Sequence, residues 1–259
     1  MIFLKTKEEI ELMRQSNMLV AQTLGELAKI IKPGVTTLEL DKVAETFIRD
    51  NEGVPGFLDY NGFPNSLCTS VNEQVVHGIP NDKPLEDGDI VSIDCGVLLN
   101  GFYGDSAYTF EVGNVKPEIK ELLRVTKESL YKGIEMAQES KRIGDIGHAV
   151  QSYCEAHGYS VVREMVGHGV GKSLHEAPEV PNYGRRGNGP KLREGMVIAI
   201  EPMINLGKRN IYMESDNWTI STVDKSPSAH FEHTVAITKN GADILSSFKF
   251  AEEVLTLQS

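Results

Sequence analysis

Cysteine is scarce in this chain, and long apolar runs are missing altogether. Cys68, Cys95 and Cys154 form no CxxC pair among 259 residues, so neither a disulfide framework nor a cysteine-rich metal module is expected, and a reducing compartment is the simplest setting. No stretch approaches the roughly 20 apolar residues of a membrane span, and Lys5 interrupts the apolar start too early for a signal-peptide core. A cytoplasmic protein with no membrane partner is therefore expected. Positive charge is outnumbered: 26 Lys and Arg face 37 Asp and Glu, for a net charge of −11. That balance argues against nonspecific binding to a phosphate backbone, which needs clustered Lys and Arg, while leaving a local basic patch open; no specific DNA partner is expected. Low-complexity linkers are also absent. What is present, 40% hydrophobic residues, suffices for a sizeable core, and residues 1–259 read as one α+β domain.

Thr6 with Glu9 makes a capping box ahead of Ile10, Met13, Val20, Leu24, Leu27 and Ile31, whose spacing predicts a helix stopped by Pro33-Gly34. A second box, Thr36 with Glu39, predicts a helix ending near Gly53. Residues from about Leu67 to Val76 read as extended. DIVSIDCGVLL and FYGDSAYTFEVG read as two strands joined at Asn100-Gly101, a strong hairpin signal. Helices are expected from Pro117 to about Gln138 and from Asp145 to His157. Strands are expected around Val161, from Met196 to Ile204, from Ile211 to Val223 and from His230 to Thr238. VSID and VIAIE each end in an acid and are each followed by a later acid, Asp105 and Glu232 respectively. This faint repeat suggests two similar halves facing a cleft.

A two-residue loop at Asn100-Gly101 sets residue 96 opposite 105 and residue 94 opposite 107. Asp94 and Asp105 then share one face, diagonally about 7–8 Å apart. Alone, such a pair is more simply read as two solvent-facing acids than as two carboxylates reaching one ion. Glu201 changes that balance, because it closes the apolar run MVIAIE, where a lone carboxylate is expensive to bury. Pro202 breaks the ladder beside it. Glu232 lies inside SAHFEHTVAIT, another apolar strand. Four acids on buried strands need counter-charge, and no comparable set of Lys or Arg accompanies them; two divalent metal ions would supply it. His168 joins them from the glycine-rich GHGVG, whose glycines permit close backbone approach and unusual dihedrals.

The segments VSIDCGVLLNGFYGDSAYTF, MVGHGVGKSLHEAP, VIAIEPMI and SAHFEHTVAIT resemble the active-site segments of type I methionine aminopeptidases, and the similarity runs along nearly the whole chain. The resemblance implies the pita-bread fold, a pseudo-two-fold antiparallel sheet with helices on its outer face. It implies removal of N-terminal methionine from nascent polypeptides when the second residue is small. It implies that Asp105 and Glu232 bridge two metal ions, that Asp94 binds one and that His168 and Glu201 bind the other. Glu201 would also shuttle a proton, His175 would hydrogen-bond the carbonyl oxygen, and His77 would contact the scissile amide nitrogen. Phe57, Tyr60, Phe63, Cys68, His77, Leu174, His175 and Trp218 would bind substrate, an aromatic and sulfur-containing surface suited to a thioether. Relatives often carry Cys and Phe at the positions of Phe57 and Leu174, and commonly Gln at that of His230.

The oxygen-rich donor set favours manganese, iron or cobalt over a thiolate-type site, with zinc and nickel as secondary candidates. A monovalent cation near the backbone carbonyls of Asn72, Gln74 and Ser228, a monomeric state and association with the ribosome exit belong to the same resemblance. A proline-specific relative is disfavoured, since only 93 residues precede Asp94. A type II enzyme is disfavoured by the 31-residue step from Glu201 to Glu232. A ligand-free binding protein for ribosomes or RNA is disfavoured because all five candidate ligands are intact and the chain is acidic.

Overall fold

The computed structural model describes residues 1–258. Helix α1 (Lys7–Ala28) and helix α2 (Thr37–Asp50) each begin with the expected capping box. In the first, Glu9 N donates to Thr6 Oγ1 at 3.2 Å and Thr6 N to Glu9 Oε2 at 2.9 Å. α1 stops three residues short of Ile31, before the turn at Pro33-Gly34. Helix α3 (Pro117–Glu135) uses proline at its first position, where no backbone donor is needed. Helix α4 (Ile143–Ala156) starts two residues earlier than its sequence pattern indicates.

Strands Ile90–Leu99 and Phe102–Glu111 form the expected hairpin. Asn100 and Gly101 both take left-handed backbone, with φ of 53° and 79°, as a two-residue turn of this twist requires. The register pairs Asp94 with Ala107 and Gly96 with Asp105, which places Asp94 and Asp105 on one face of the hairpin. Leu67–Val71 and Val54–Pro55 flank the first hairpin strand, and Cys68 lies opposite Asp94. A second sheet runs in the order Gly241–Ile244, His233–Thr238, Val197–Ile200, Gly167–Gly169 and Glu176–Val180.

Three expected strands prove to be interrupted. Met196–Ile204 splits at Glu201-Pro202 into Val197–Ile200 and Met203–Asn205, because proline cannot continue the ladder. His230–Thr238 splits at Phe231-Glu232 into Ser228–His230 and His233–Thr238. The breaks face each other: Ile200 pairs with His233 on one side, and Met203 with His230 on the other. Both chains therefore change sheets at the same level, which turns both acids out of the ladders. Ile211–Val223 is itself a hairpin, Ile211–Met213 with Ile220–Thr222. Helix α5 (Lys249–Gln258) and the strand Gly241–Ile244 were not expected from the sequence pattern.

α1 covers the first hairpin, α2 packs on α1 and on the strands Val54–Pro55 and Leu67–Val71, and α3 and α4 pack on the second half. Leu24, Leu27, Leu40 and Ile48 share one buried core with Ile93 and Val97, as do Leu122, Leu130, Ile146 and Val150 with Ile198 and Ile200. The halves meet along a hydrogen-bonded seam. Glu232 N donates to Ala107 O (2.9 Å), Ser106 Oγ to Glu232 O (2.7 Å) and Thr234 Oγ1 to Asp105 O (2.7 Å). No helix among the described residues is long and apolar enough to cross a membrane.

Candidate metal centre

The seam brings together the five residues singled out as ligands. Asp94 and Asp105 project from the hairpin, Glu201 and Glu232 from the paired strand breaks, and His168 from the strand Gly167–Gly169. Asp105, His168 and Glu232 each present a ligand atom, all within 4.8 Å of one another, and all three are buried. Glu201 stands beside them, its Oε1 3.5 Å from His168 Nε2, which is also 3.7 Å from Asp105 Oδ2.

The glycines beside His168 act through closeness of approach. A Cβ on Gly167 would lie 2.4 Å from Ala199 O, and one on Gly169 would lie 2.4 Å from Ala177 O. Neither glycine adopts positive φ, so the expectation of unusual dihedrals there is corrected. His168 Nδ1 is 2.9 Å from the Gly169 carbonyl, which fixes the proton on Nδ1 and leaves the Nε2 lone pair facing the acids. Burial, reinforced by His175, pushes the ring's pKa down to about 3 and keeps it neutral.

Burial pushes all four carboxyl groups upward, and for Asp105, Glu201 and Glu232 the neighbouring acids add to it. Asp94 is pushed to about 7 by desolvation. Asp105 rises further through burial and the charges of Asp94 and Glu201; Glu201 rises through burial and Asp94. Glu232 rises through burial and then Asp105, Glu201 and Asp94. Among the described residues, no lysine or arginine forms an ion pair with any of them; their only paired cationic candidates are His168 and His230. Asp94 Oδ1, Asp105 Oδ1 and Glu232 Oε1 are buried without a hydrogen-bond partner. Orphaned carboxylate oxygens are costly in a protein interior. Divalent cations are the groups this donor set fits, four carboxylates and one neutral imidazole.

The acids line a cavity of about 480 Å³ that also takes in Phe57, Tyr60, Phe63, Cys68, His77, Leu174, His175 and Trp218. Every residue expected to touch substrate thus opens on the same space. Phe57, Phe63, Cys68 and Leu174 form a buried apolar cluster backed by Tyr60 and Trp218. Phe63 meets Trp218 edge-on at 5.1 Å. Gly96 makes room for this wall, because a Cβ there would lie 2.5 Å from Phe57 Cε1. His175 sits at the exposed mouth with Nδ1 2.8 Å from the Tyr60 hydroxyl, and its surroundings lower its pKa by desolvation. His77 holds a left-handed φ of 58°, and burial, then His175, pushes its pKa down to about 4.

Asn61, Val76, Glu164, Met165, Val166 and Met203 also line the cavity and were not expected. Met165, Val166 and Met203 lie inside the singled-out segments, and Asn61, Val76 and Glu164 lie directly beside singled-out positions, so position along the chain is the available signal. Away from the cavity, Ser228 N donates to Asn72 O at 2.9 Å, and the Gln74 side chain accepts from Val71 N at 2.9 Å.

These features have counterparts in known proteins. Residues 11–239 match the model of metallopeptidase family M24. Methionine aminopeptidase 1 of Bacillus subtilis (strain 168) is 54% identical over 246 residues, covering 95% of this chain and 99% of that protein. The crystal structure of methionine aminopeptidase from Rickettsia prowazekii superposes with a TM-score of 0.94 at 46% identity, covering 95% of this chain and all of that one. An Xaa-Pro dipeptidase from Bacillus anthracis shares the fold at a TM-score of 0.74 and 20% identity, and this chain spans 62% of it. The pita-bread architecture is therefore shared across the group, and this chain belongs to metallopeptidase family M24, on its methionine aminopeptidase branch.

Proposed function

We propose that this protein removes the N-terminal methionine from nascent proteins and peptides whose second residue is small, by hydrolysis at a pair of divalent metal ions. The observation that carries this reading is the convergence of four buried acids and one imidazole, with three orphaned carboxylate oxygens, at the side of a cavity of about 480 Å³. Asp94, Asp105, His168, Glu201 and Glu232 would hold the ions. When bound, the pair neutralises these acids, lowers the pKa of water towards neutrality and polarises a carbonyl.

The remaining roles belong to this chain's own side chains. Glu201 takes a proton from the attacking water and returns it to the departing amine. His175, at the mouth and braced by Tyr60, donates to the carbonyl oxygen as charge develops there. His77 contacts the scissile amide nitrogen. Phe57, Tyr60, Phe63, Cys68, Leu174 and Trp218 enclose the methionine side chain, whose polarisable sulfur suits an aromatic wall. Burial of that wall excludes water from one side of the bond to be cut.

Manganese, iron or cobalt is the reading of the metal, with zinc and nickel behind them. A monovalent cation beside Asn72, Gln74 and Ser228 completes it, supported by the meeting of Asn72 and Ser228 in one hydrogen bond. Residues 1–259 act as a single catalytic domain, a cytoplasmic monomer that meets its substrates near the ribosome exit. The test is a peptide assay: Met-Ala-Ser should lose its methionine, N-acetyl-Met-Ala-Ser should not, and exhaustive chelation should stop turnover. Cleavage of the acetylated peptide, or full activity after chelation, would overturn the reading.

A further inference from the structure

His230 lies just outside the five-residue set, and its surroundings give it work. Its backbone is fixed twice by one hydroxyl: His230 N donates to Thr109 Oγ1 at 3.0 Å, and the His230 carbonyl lies 2.7 Å from the same oxygen. Thr109 is tied in turn to Ser92 at 2.8 Å. Pairing of His230 with Met203 sets the ring beside the Glu201-Pro202 break. The residue is 1% exposed, and Nε2 is buried without a hydrogen-bond partner. Its charged neighbour is Glu201, with Oε2 3.7 Å from Nε2.

The two oxygens of Glu201 therefore face two imidazoles. Oε1 faces His168, whose Nδ1 proton is committed to the Gly169 carbonyl and whose Nε2 offers a lone pair. Oε2 faces His230. Two lone pairs opposed across that gap would repel, whereas an N–H aimed at the carboxylate satisfies the orphaned ring nitrogen after a closure of about 0.8 Å to ordinary hydrogen-bond length.

We propose that His230 is a positioning residue: its Nε2–H donates to Glu201 Oε2 and fixes that carboxylate with Oε1 turned towards His168. This rests on the reading of Glu201 as a metal ligand and proton carrier. A carboxylate held from behind in this way loses rotational freedom, and outer partners of this kind typically govern metal affinity and activity about 10–100-fold.

The test uses the full-length protein loaded with Zn²⁺, which is diamagnetic. In ¹⁵N-histidine spectra, with His230 assigned by its disappearance in His230→Gln, Nε2 should carry the proton. Zn²⁺ affinity, read by competition with a chromophoric chelator, should fall about 10–100-fold in His230→Leu. His230→Gln, which restores an N–H donor, should return to within about threefold of the original. kcat on Met-Ala-Ser should follow the same order with KM nearly unchanged. A bare, metal-shifted Nε2 would make His230 a ligand and overturn the proposal, as would unchanged Zn²⁺ affinity in His230→Leu. Should His230→Leu fail to fold, the proton position in the unaltered protein decides. Tautomer and Zn²⁺ affinity require no substrate, so a protein that binds Zn²⁺ as expected yet cuts no peptide would sink the peptidase reading and leave this one standing.

Discussion

Metal-free protein should lose stability as pH rises from 7 to 8.5, and metal-loaded protein should not. Burial raises the pKa values of Asp94, Asp105, Glu201 and Glu232 in the fold, and repulsion from neighbouring acids adds to it for the last three. In the unfolded chain the same groups ionise near 4. Above that value the folded state binds more protons than the unfolded state, so stability falls with rising pH until the folded groups ionise in turn. Each proton retained only by the fold contributes a slope of about −1.4 kcal/mol per pH unit. The buried histidines act with the opposite sign, because their lowered pKa values leave the unfolded chain the better proton binder. That contribution ends near pH 7, once unfolded imidazoles are neutral. Between 7 and 8.5 the acids dominate, and one retained proton should lower the melting temperature by about 3–6 °C per pH unit for a chain of this size. Divalent ions replace those protons and should flatten the slope. The measurement is calorimetry at half-unit pH steps, with and without Mn²⁺. A metal-free melting temperature that is flat or rising over this window would refute the account of the acids as a strained, cation-requiring cluster.

Other perturbations read different parts of the structure. Glu201→Gln should fold and lose turnover, and by removing one proton-retaining acid it should make the metal-free melting temperature fall less steeply above pH 7; wild-type kcat in a metal-loaded sample would remove its assignment. Gly169→Ala should cost about 1–3 kcal/mol, as overpacking does, and should lower bound metal measured by elemental analysis, because the added Cβ meets Ala177 O at 2.4 Å beside His168. Lys5→Met should cost about 3–5 kcal/mol in urea unfolding, since it strands Glu176, now 2.6 Å from Lys5 Nζ with both side chains under a tenth exposed.

Much of the site was legible because it depends on local rules. Asn100-Gly101 sets the hairpin register, and register alone puts Asp94 and Asp105 on one face. Pro202 marks the place where a strand must break, although its partner break at Phe231-Glu232 carries no proline and follows from pairing across the sheet. Long-range pairing is where sequence pattern loses its hold. The glycines beside His168 announce a crowded site but not which carbonyls crowd it; those belong to Ala177 and Ala199. The sequence ahead of α5 has no Ser/Thr-x-x-Glu pattern, yet Phe248 just before the helix and Ala251 and Val254 within it recur at helical spacing against the common core, a signal weaker than those that opened α1 and α2. The approach of His230 to Glu201 joins residues 29 apart through the opposed breaks, and no spacing rule anticipates it.

The doubled strand break has a consequence for how the protein fails. Residues 200–203 and 230–233 are held by two different ladders, one on each side of the acids. Peeling either ladder releases Glu201 and Glu232 together. The two acids thus keep or lose their places as a pair, and amide exchange at residues 200–203 and 230–233 should rise together when either ladder opens.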